Sequence, residues 1–348
     1  MKRFASFIGR VCLLLALSHG TANAWDYEGH RLVNQIALAA LPENFPDFAR
    51  TPAARERIAF LSGEPDRWRN TPDLSLRHFN GPDHYFDVED LALYQLTATN
   101  LAPFRYVFTA QMAVARAANP GRFPAIDPAQ NNDRTRELPG FLPWAITEHY
   151  SKLKSGFSYL KVFEELGTPE EIANAQQNIL YVMGTLGHYV GDAAQPLHTT
   201  RQYNGWTGEN PRGFTTSKGF HAWIDGGYLE KVGLRREHLL AGVAPARMLW
   251  PGDPKAKHDD VFPLMMAYLV EQYRLVEPLY ELDQAGKFTG KDELGRQGQA
   301  FLEGQLRKAG QMLGDLWYSA WQQAQPDTYL KSRLMERKLA ESESPKKR

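Results

Sequence analysis

A single cysteine, Cys12, occurs in 348 residues. No disulfide can form within the chain, and no cluster of thiolates can hold a metal. An excess of charge is also missing, because 40 Lys+Arg balance 40 Asp+Glu. No global positive field draws the protein onto nucleic acid or an anionic membrane, so any polyanion must be bound locally. Alternation of apolar and polar residues is scarce, and neither a βαβ rhythm nor an internal repeat is visible, which argues against sheet architectures. What is present is globular composition, with 43% hydrophobic and 12% aromatic residues, enough for a substantial core.

The first 24 residues read as an export signal. Lys2, Arg3 and Arg10 make a positive start, Val11 to Leu17 an apolar stretch too short to cross a bilayer, and Ala22-Asn23-Ala24 a small-x-small cleavage site. Cys12 precedes the apolar stretch rather than standing at the cleavage point, and there is no twin-Arg pair. General secretion to a periplasm or the medium is therefore expected, without lipid attachment. Cleavage at Ala24-Trp25 removes three Lys/Arg, no Asp/Glu and the only cysteine, so the mature chain carries a formal charge of about −3.

Helical signals dominate the remainder. Residues 30–41 set Val33, Ile36, Ala37 and Ala40 on one face, and Thr168-Pro169-Glu170-Glu171 combines an N-cap, a first-turn proline and an acidic first turn. That start predicts a helix running towards Gly191. Long helices are also predicted over 264–282 and about 292–322, the latter with Leu294, Phe301, Leu306, Met312, Leu316 and Trp317 at three-to-four spacing. Shorter helices are predicted over 53–62, 88–116 and 143–166. Pro/Gly/Asn punctuation marks 118–140, 199–219 and 242–260 as loops. The expectation is a mainly-α single domain over 25–340 with a charged, frayed tail over 341–348.

Nine histidines follow residue 24, and two stand four residues before an aspartate: His188-x-x-x-Asp192 and His221-x-x-x-Asp225. On a helix that spacing puts both side chains on one face, one turn apart, where they can share a cation. About one such pair is expected by chance, so either alone reads first as a surface pair worth a few tenths of a kcal/mol. The first pair has a more telling context. In GHYVGDAAQPLH, residues 187–198, Pro196 ends the helix and His198 follows, as a third ligand on the exit loop or as a partner of the helix C-terminus.

Trp25 is a further candidate. Cleavage after Ala24 frees its α-amine, which with its own carbonyl oxygen can chelate a metal in a five-membered ring; the amine has a pKa near 8. His30 lies five residues on. Taken alone, Trp25 reads first as a core aromatic.

The segments WDYEGHRLVNQIA (25–37), DRWR (66–69), His84-Tyr85-Phe86-Asp87, Leu142-Pro143-Trp144, GHYVGDAAQPLH and His221-x-x-x-Asp225 follow one another from Trp25 to Asp225. This succession resembles the S1/P1 nuclease family, which is related in fold to zinc-dependent phospholipase C. Beyond Asp225 the chain matches only as helices of the expected kind. The resemblance implies a phospholipase C/P1 nuclease-like helical fold with a trinuclear zinc cleft. One Zn2+ would be held by Asp66, His84, His188 and Asp192, a second by the Trp25 amine and carbonyl, His30 and Asp192, and a third by His198, His221 and Asp225. Nitrogen and oxygen ligands without sulfur suit catalytic zinc with open positions.

It further implies an endonuclease that cuts single-stranded DNA or RNA to 5′-phosphate products, with 3′-nucleotidase activity as an accompaniment. Asp66 would orient the attacking water, and Arg69 would neutralise charge developing on the phosphate. Tyr85 and Asp87 would stack on and hydrogen-bond a nucleobase, which requires an unstacked base and hence a single strand. Tyr85 reads equally as a core aromatic beside a ligand. No stable membrane association and no obligate protein partner is implied.

Between His198 and His221 lie Arg201, Tyr203, Asn204, Trp206, Arg212 and Lys218, a mixture that suits a phosphate-and-base groove or a solvated loop. The Gly-Gly-Asn of the family is absent there. His78, His149, His238 and His258 find no place in the constellation. Two other readings remain: a phospholipase C-like phosphodiesterase, and a non-catalytic envelope zinc-binding protein. The former would end its ligand set with His-x-x-x-Glu where this chain has Asp225, so the nuclease is favoured.

Overall fold

The computed structural model describes residues 25–234, 236–249, 261–290 and 292–343; the export signal expected at 1–24 and His258 lie outside the described residues. In chain order the helices are α1 (Tyr27–Ala40), α2 (Pro52–Leu61), α3 (Glu64–Arg69), α4 (Leu74–Asn80), α5 (Arg105–Ala118), α6 (Leu142–Leu166) and α7 (Pro169–Ala194). They continue with α8 (Phe220–Ala222), α9 (Tyr228–Val232), α10 (Arg236–Leu240), α11 (Val261–Tyr273), α12 (Val276–Gln284), α13 (Glu293–Gln323) and α14 (Thr328–Glu343). Among the described residues the β structure is one isolated antiparallel bridge, Phe86 to Gly140. The mainly helical expectation is met.

Helix α7 occupies the centre, packed against α1, α2, α6, α11 and α13. It begins where the sequence places it: the Thr168 hydroxyl accepts from the Glu171 N–H at 3.3 Å and the Glu171 carboxylate accepts from the Thr168 N–H at 2.8 Å. Such a reciprocal cap satisfies two of the donors that a helix start leaves open. From Met183 to Ala194 every residue of α7 is buried, so this half of the helix has no solvent face at all. A stretch of that kind must be polar only where polarity has partners.

Close packing there depends on missing side chains. A Cβ at Gly187 would lie 1.6 Å from Asn34 Oδ1 of α1, and one at Gly191 would lie 2.9 Å from His30 Nδ1. Asn34 in turn donates to the Ile58 carbonyl at 2.8 Å and the Gly184 carbonyl at 3.1 Å, tying α1, α2 and α7 together inside the core.

Three predicted elements differ from the observed ones, each for a local reason. The helix predicted over 88–116 is interrupted: a 3-10 segment covers Val88–Tyr94, Gln95 adopts a left-handed φ of 59°, and α5 begins only at Arg105. Pro103 and an Asn100 side chain that accepts from the Thr97 N–H at 2.7 Å occupy the gap. The helix predicted over 264–282 is two, because Pro278 has no N–H for the Arg274 carbonyl and the chain turns at 274–275. Helix α14 carries no apolar stripe, since among its residues Leu334 alone is buried. It is held instead by Lys331–Glu165 and Arg337–Glu171 pairs at 2.7 Å, and it runs to Glu343, into the tail expected to fray from 341.

Gly187→Ala is expected to destabilise the fold by about 2–3 kcal/mol, because Asn34 must leave two buried carbonyls to make room. A urea midpoint unchanged from wild type would refute the close-approach argument.

Candidate metal centre

The buried end of α7 carries His188 and Asp192 one turn apart, both without exposure. The His188 Nδ1–H faces the Ser62 carbonyl at 2.7 Å, which assigns the proton to Nδ1 and leaves Nε2 free to act as a ligand. That Nε2 lies 3.3 Å from Asp192 Oδ2, 3.9 Å from Asp66 Oδ1 and 2.9 Å from His84 Nδ1. His84 ends the 3-10 turn Gly81–His84 and puts Nδ1 3.0 Å from Asp192 Oδ2. Asp66 comes from α3, where the Arg69 Nε lies 2.8 Å from its Oδ1.

The second group gathers on the other oxygen of the same carboxylate. His30 of α1 places Nε2 3.5 Å from Asp192 Oδ1, and its ring stacks on His188 at 3.8 Å between centroids. Trp25 is fully buried, and its indole N–H donates to the Gly191 carbonyl at 2.9 Å, next to Asp192. The following residue, Asp26, caps α1 through the Gly29 N–H at 3.0 Å and donates its own N–H to the Asp225 carbonyl at 3.3 Å. The N-terminal segment is thus tied to both α7 and the Asp225 turn.

His198, His221 and Asp225 make the third group. His198 leaves the end of α7 on the turn Pro196–Thr199 and donates from Nδ1 to the His84 carbonyl at 2.5 Å. Its Nε2 then lies 3.1 Å from His221 Nε2, which is 2.7 Å from Asp225 Oδ2. Gln195 donates to Asp225 Oδ1 at 2.7 Å and so fixes which carboxylate oxygen faces the histidines. Asp225 stands on a π-turn, Trp223–Gly227, rather than on a continuous α-helix; wider turns of this sort occur at functional sites.

Three sets of ligand atoms result, each within 4.8 Å: His30 with His188 and Asp192, Asp66 with His84 and His188, and His198 with His221 and Asp225. His188 borders two of them, whereas the sequence reading gave it to one. The sets fit cations. Asp192 Oδ1 is buried and accepts no hydrogen bond, its nearest nitrogen being His30 Nε2 at 3.5 Å, and a buried carboxylate oxygen in that condition is costly unless a cation satisfies it.

Electrostatics sorts the groups. Burial alone would raise Asp192, but His188 and His198 hold its carboxyl well below the usual carboxylate range. Asp66 is likewise lowered, against burial, by Arg69 and the histidines around it. Burial drives His84 and His221 down to about 3, so both imidazoles are neutral, the form in which nitrogen binds a metal. Asp225 moves the other way, pushed well above its ordinary value by burial.

A cleft of about 770 Å³ opens over the third group, with Arg69, Tyr85, Asp87, His198, Tyr203 and His221 in its wall. The extended segment at Tyr85 alternates as a strand does: Phe86 is fully buried, while Tyr85 and Asp87 on either side are half-buried and line the cleft. Burial, with Glu89 and Asp90 beside it, raises the Asp87 carboxyl well above its usual range.

The 199–219 loop divides. Arg201, Tyr203 and Asn204 line the cleft, whereas Trp206 packs on Phe214 and Tyr280, and Arg212 pairs with Glu277 and Glu281. Lys218 is exposed and does not line the cleft. His78, His149 and His238 stand apart from the three sets, bonding the Asp133 carbonyl, the Ala145 carbonyl and Arg307. Sequence reading missed Ser62 and Gln195. Gln195 lies inside the quoted ligand motif, but nothing in the sequence marks Ser62, which acts through its backbone carbonyl. No protein-family model matches the chain, and no curated protein matches it.

The unfolded chain takes up protons at His84, His149 and His221 near 6.5, which the folded chain refuses until about 3 to 4. Their contribution to stability is therefore present above 6.5 and is lost as pH falls towards 3. In metal-free protein the three imidazoles are expected to stay unprotonated between pH 7 and 5, so their ring proton shifts should not move over that window in an NMR titration; rings that titrate near 6.5 would show that the imidazoles are not held neutral.

Proposed function

We propose that this chain is an exported zinc-dependent endonuclease that hydrolyses single-stranded nucleic acid to 5′-phosphate products. The observation that carries the reading is the convergence of three buried His/Asp sets, the third opening into a cleft whose wall holds an arginine and an aromatic ring. The donor chemistry, imidazole and carboxylate without thiolate, suits zinc with open positions. Asp66, His84, His188 and Asp192 would hold one ion, His30, Asp192 and the Trp25 amine and carbonyl a second, and His198, His221 and Asp225 a third. Asp192 is suited to serve the first two, because its two oxygens face different histidines.

Bound there, the ions would polarise phosphate oxygens and lower the pKa of a water from 15.7 towards about 7. The chain's own groups do the rest. Asp66, kept ionised by Arg69 and its neighbouring imidazoles, accepts a hydrogen bond from the attacking water and aims it. Arg69, on the cleft wall, faces the phosphate and offsets its growing charge. Tyr85 presents a ring to a base, and only a base free of its neighbours can lie on it. The Asp87 carboxyl, on the same wall, offers that base a hydrogen-bond partner.

Mature protein beginning at Trp25 and supplied with zinc is expected to open circular single-stranded DNA, giving linear fragments with 5′-phosphates, and to lose the activity under chelation. A circle has no ends, so cutting requires an endonuclease; an uncut circle with zinc demonstrably bound would transfer the reading to phospholipid phosphodiesters or to zinc binding without turnover. His188→Ala should abolish turnover and lower zinc stoichiometry, since that ring borders two of the sets. One residue added before Trp25 occupies its amine and should cost the second zinc and most activity. Tyr85→Ala should lose the preference for single strands; a preference left intact would remove the stacking role.

A further inference from the structure

The cleft has four arginines in its wall: Arg69, Arg77, Arg136 and Arg201. Three have a carboxylate partner, Arg69 with Asp66 at 2.8 Å, Arg77 with Asp133 at 2.8 Å and Arg201 with Asp90 at 3.3 Å. Arg136 makes no ion pair among the described residues, and its side chain is exposed. The remaining carboxylate of the wall, Asp87, makes no ion pair with any of the four among the described residues. One guanidinium of the cleft is thus left for an anion that the protein does not supply.

Its position follows from the turn that carries it. The Arg136 N–H donates to Asn131 Oδ1 at 3.1 Å, and the Thr135 N–H and hydroxyl both donate to Asp133 Oδ1, at 3.3 and 2.8 Å. The Glu137 carbonyl accepts from the Tyr94 hydroxyl and from Arg116, both at 3.0 Å. The turn is braced before any ligand arrives, which lowers the ordering cost of a contact made from it. The Tyr85 hydroxyl reaches the same turn, 3.5 Å from the Thr135 carbonyl and 3.4 Å from that of Leu138. The other end of Tyr85 is joined to His84, whose ring faces Asp192. Tyr85 therefore spans the distance between the metal sets and the Arg136 turn.

We propose that Arg136 is a second phosphate site, binding the 5′-phosphate of the nucleotide whose base lies on Tyr85 and whose 3′-phosphate is at the metal sets. It rests on the nuclease reading above, and it names the substrate more narrowly: a chain with a phosphate on both sides of the stacked nucleoside, rather than a 3′-mononucleotide or a phospholipid. A nucleoside lacking its 5′-phosphate fills the ring and the metal sets and leaves Arg136 empty.

The test is equilibrium binding of two thymidine dinucleotides with a methylphosphonate link, which is not cleaved, one bearing a 5′-terminal phosphate and one not. Zinc-loaded protein is titrated with each by calorimetry. Wild type is expected to bind the phosphorylated form about 10-fold more tightly, as a charge-assisted contact on a partly exposed site allows. In Arg136→Gln the ratio should fall to about 1, and in Arg136→Lys it should stay between the two. Equal affinities in wild type, or a ratio that survives in Arg136→Gln, would overturn the proposal. The circular-DNA assay separates the two levels: a cut circle with equal affinities removes the second phosphate site alone, and an uncut circle with neither ligand bound removes the nuclease reading as well.

Discussion

A carboxylate with no exposure to water stands at the centre of this protein, and the packing around it answers the problem it creates. Asp192 belongs to a stretch of α7 in which every residue is buried. Without neighbours of opposite character an aspartate there would be protonated or expelled. His84, His188, His30 and His198 all approach it, at 3.0, 3.3, 3.5 and 3.8 Å. They come from different elements, so the fold cannot close without bringing these rings together. Construction of the core and construction of the site are one event.

The supporting contacts show how orientation is fixed. Two of the rings donate Nδ1–H to backbone carbonyls, His188 to Ser62 and His198 to His84, which turns each Nε2 inward. Gln195 does the same for Asp225 by occupying one oxygen. Gly191 lets His30 approach α7, and Asp26 holds the start of α1 against the Asp225 turn. None of these groups touches substrate in the proposed reaction, yet each determines where a lone pair points. Rigid packing gives a site of this kind its geometry before any cation arrives.

The cleft above obeys a different rule. Its wall pairs three of its four arginines with carboxylates and leaves Arg136 without one, so in a protein with 40 positive and 40 negative residues the foothold for the proposed polyanion is local rather than a basic surface. Alternation at Tyr85-Phe86-Asp87 turns one residue into the core and two towards the cleft, so a short extended piece in a helical protein is what furnishes its aromatic and acidic contacts.

Much of this was legible in the sequence. The capping box at Thr168, the apolar stripes of α1 and α13 and the His-x-x-x-Asp spacings are local patterns, set by helix periodicity and by the chemistry of helix starts. The order of motifs from Trp25 to Asp225 named the ligand candidates before any contact was known. Helix breaks at Pro103 and Pro278 were written in the chain as well, but apolar periodicity continues across them and hides the interruption. What only the tertiary structure decided is of another kind. That His188 borders two ligand sets, that a Ser62 carbonyl orients it, that Arg212 is spent on Glu277 and Glu281 while Arg136 has no carboxylate, all depend on residues far apart in sequence. Sequence determines which groups are available and on which face of a helix they stand; distances between elements arise from packing, and metal chemistry depends on those distances.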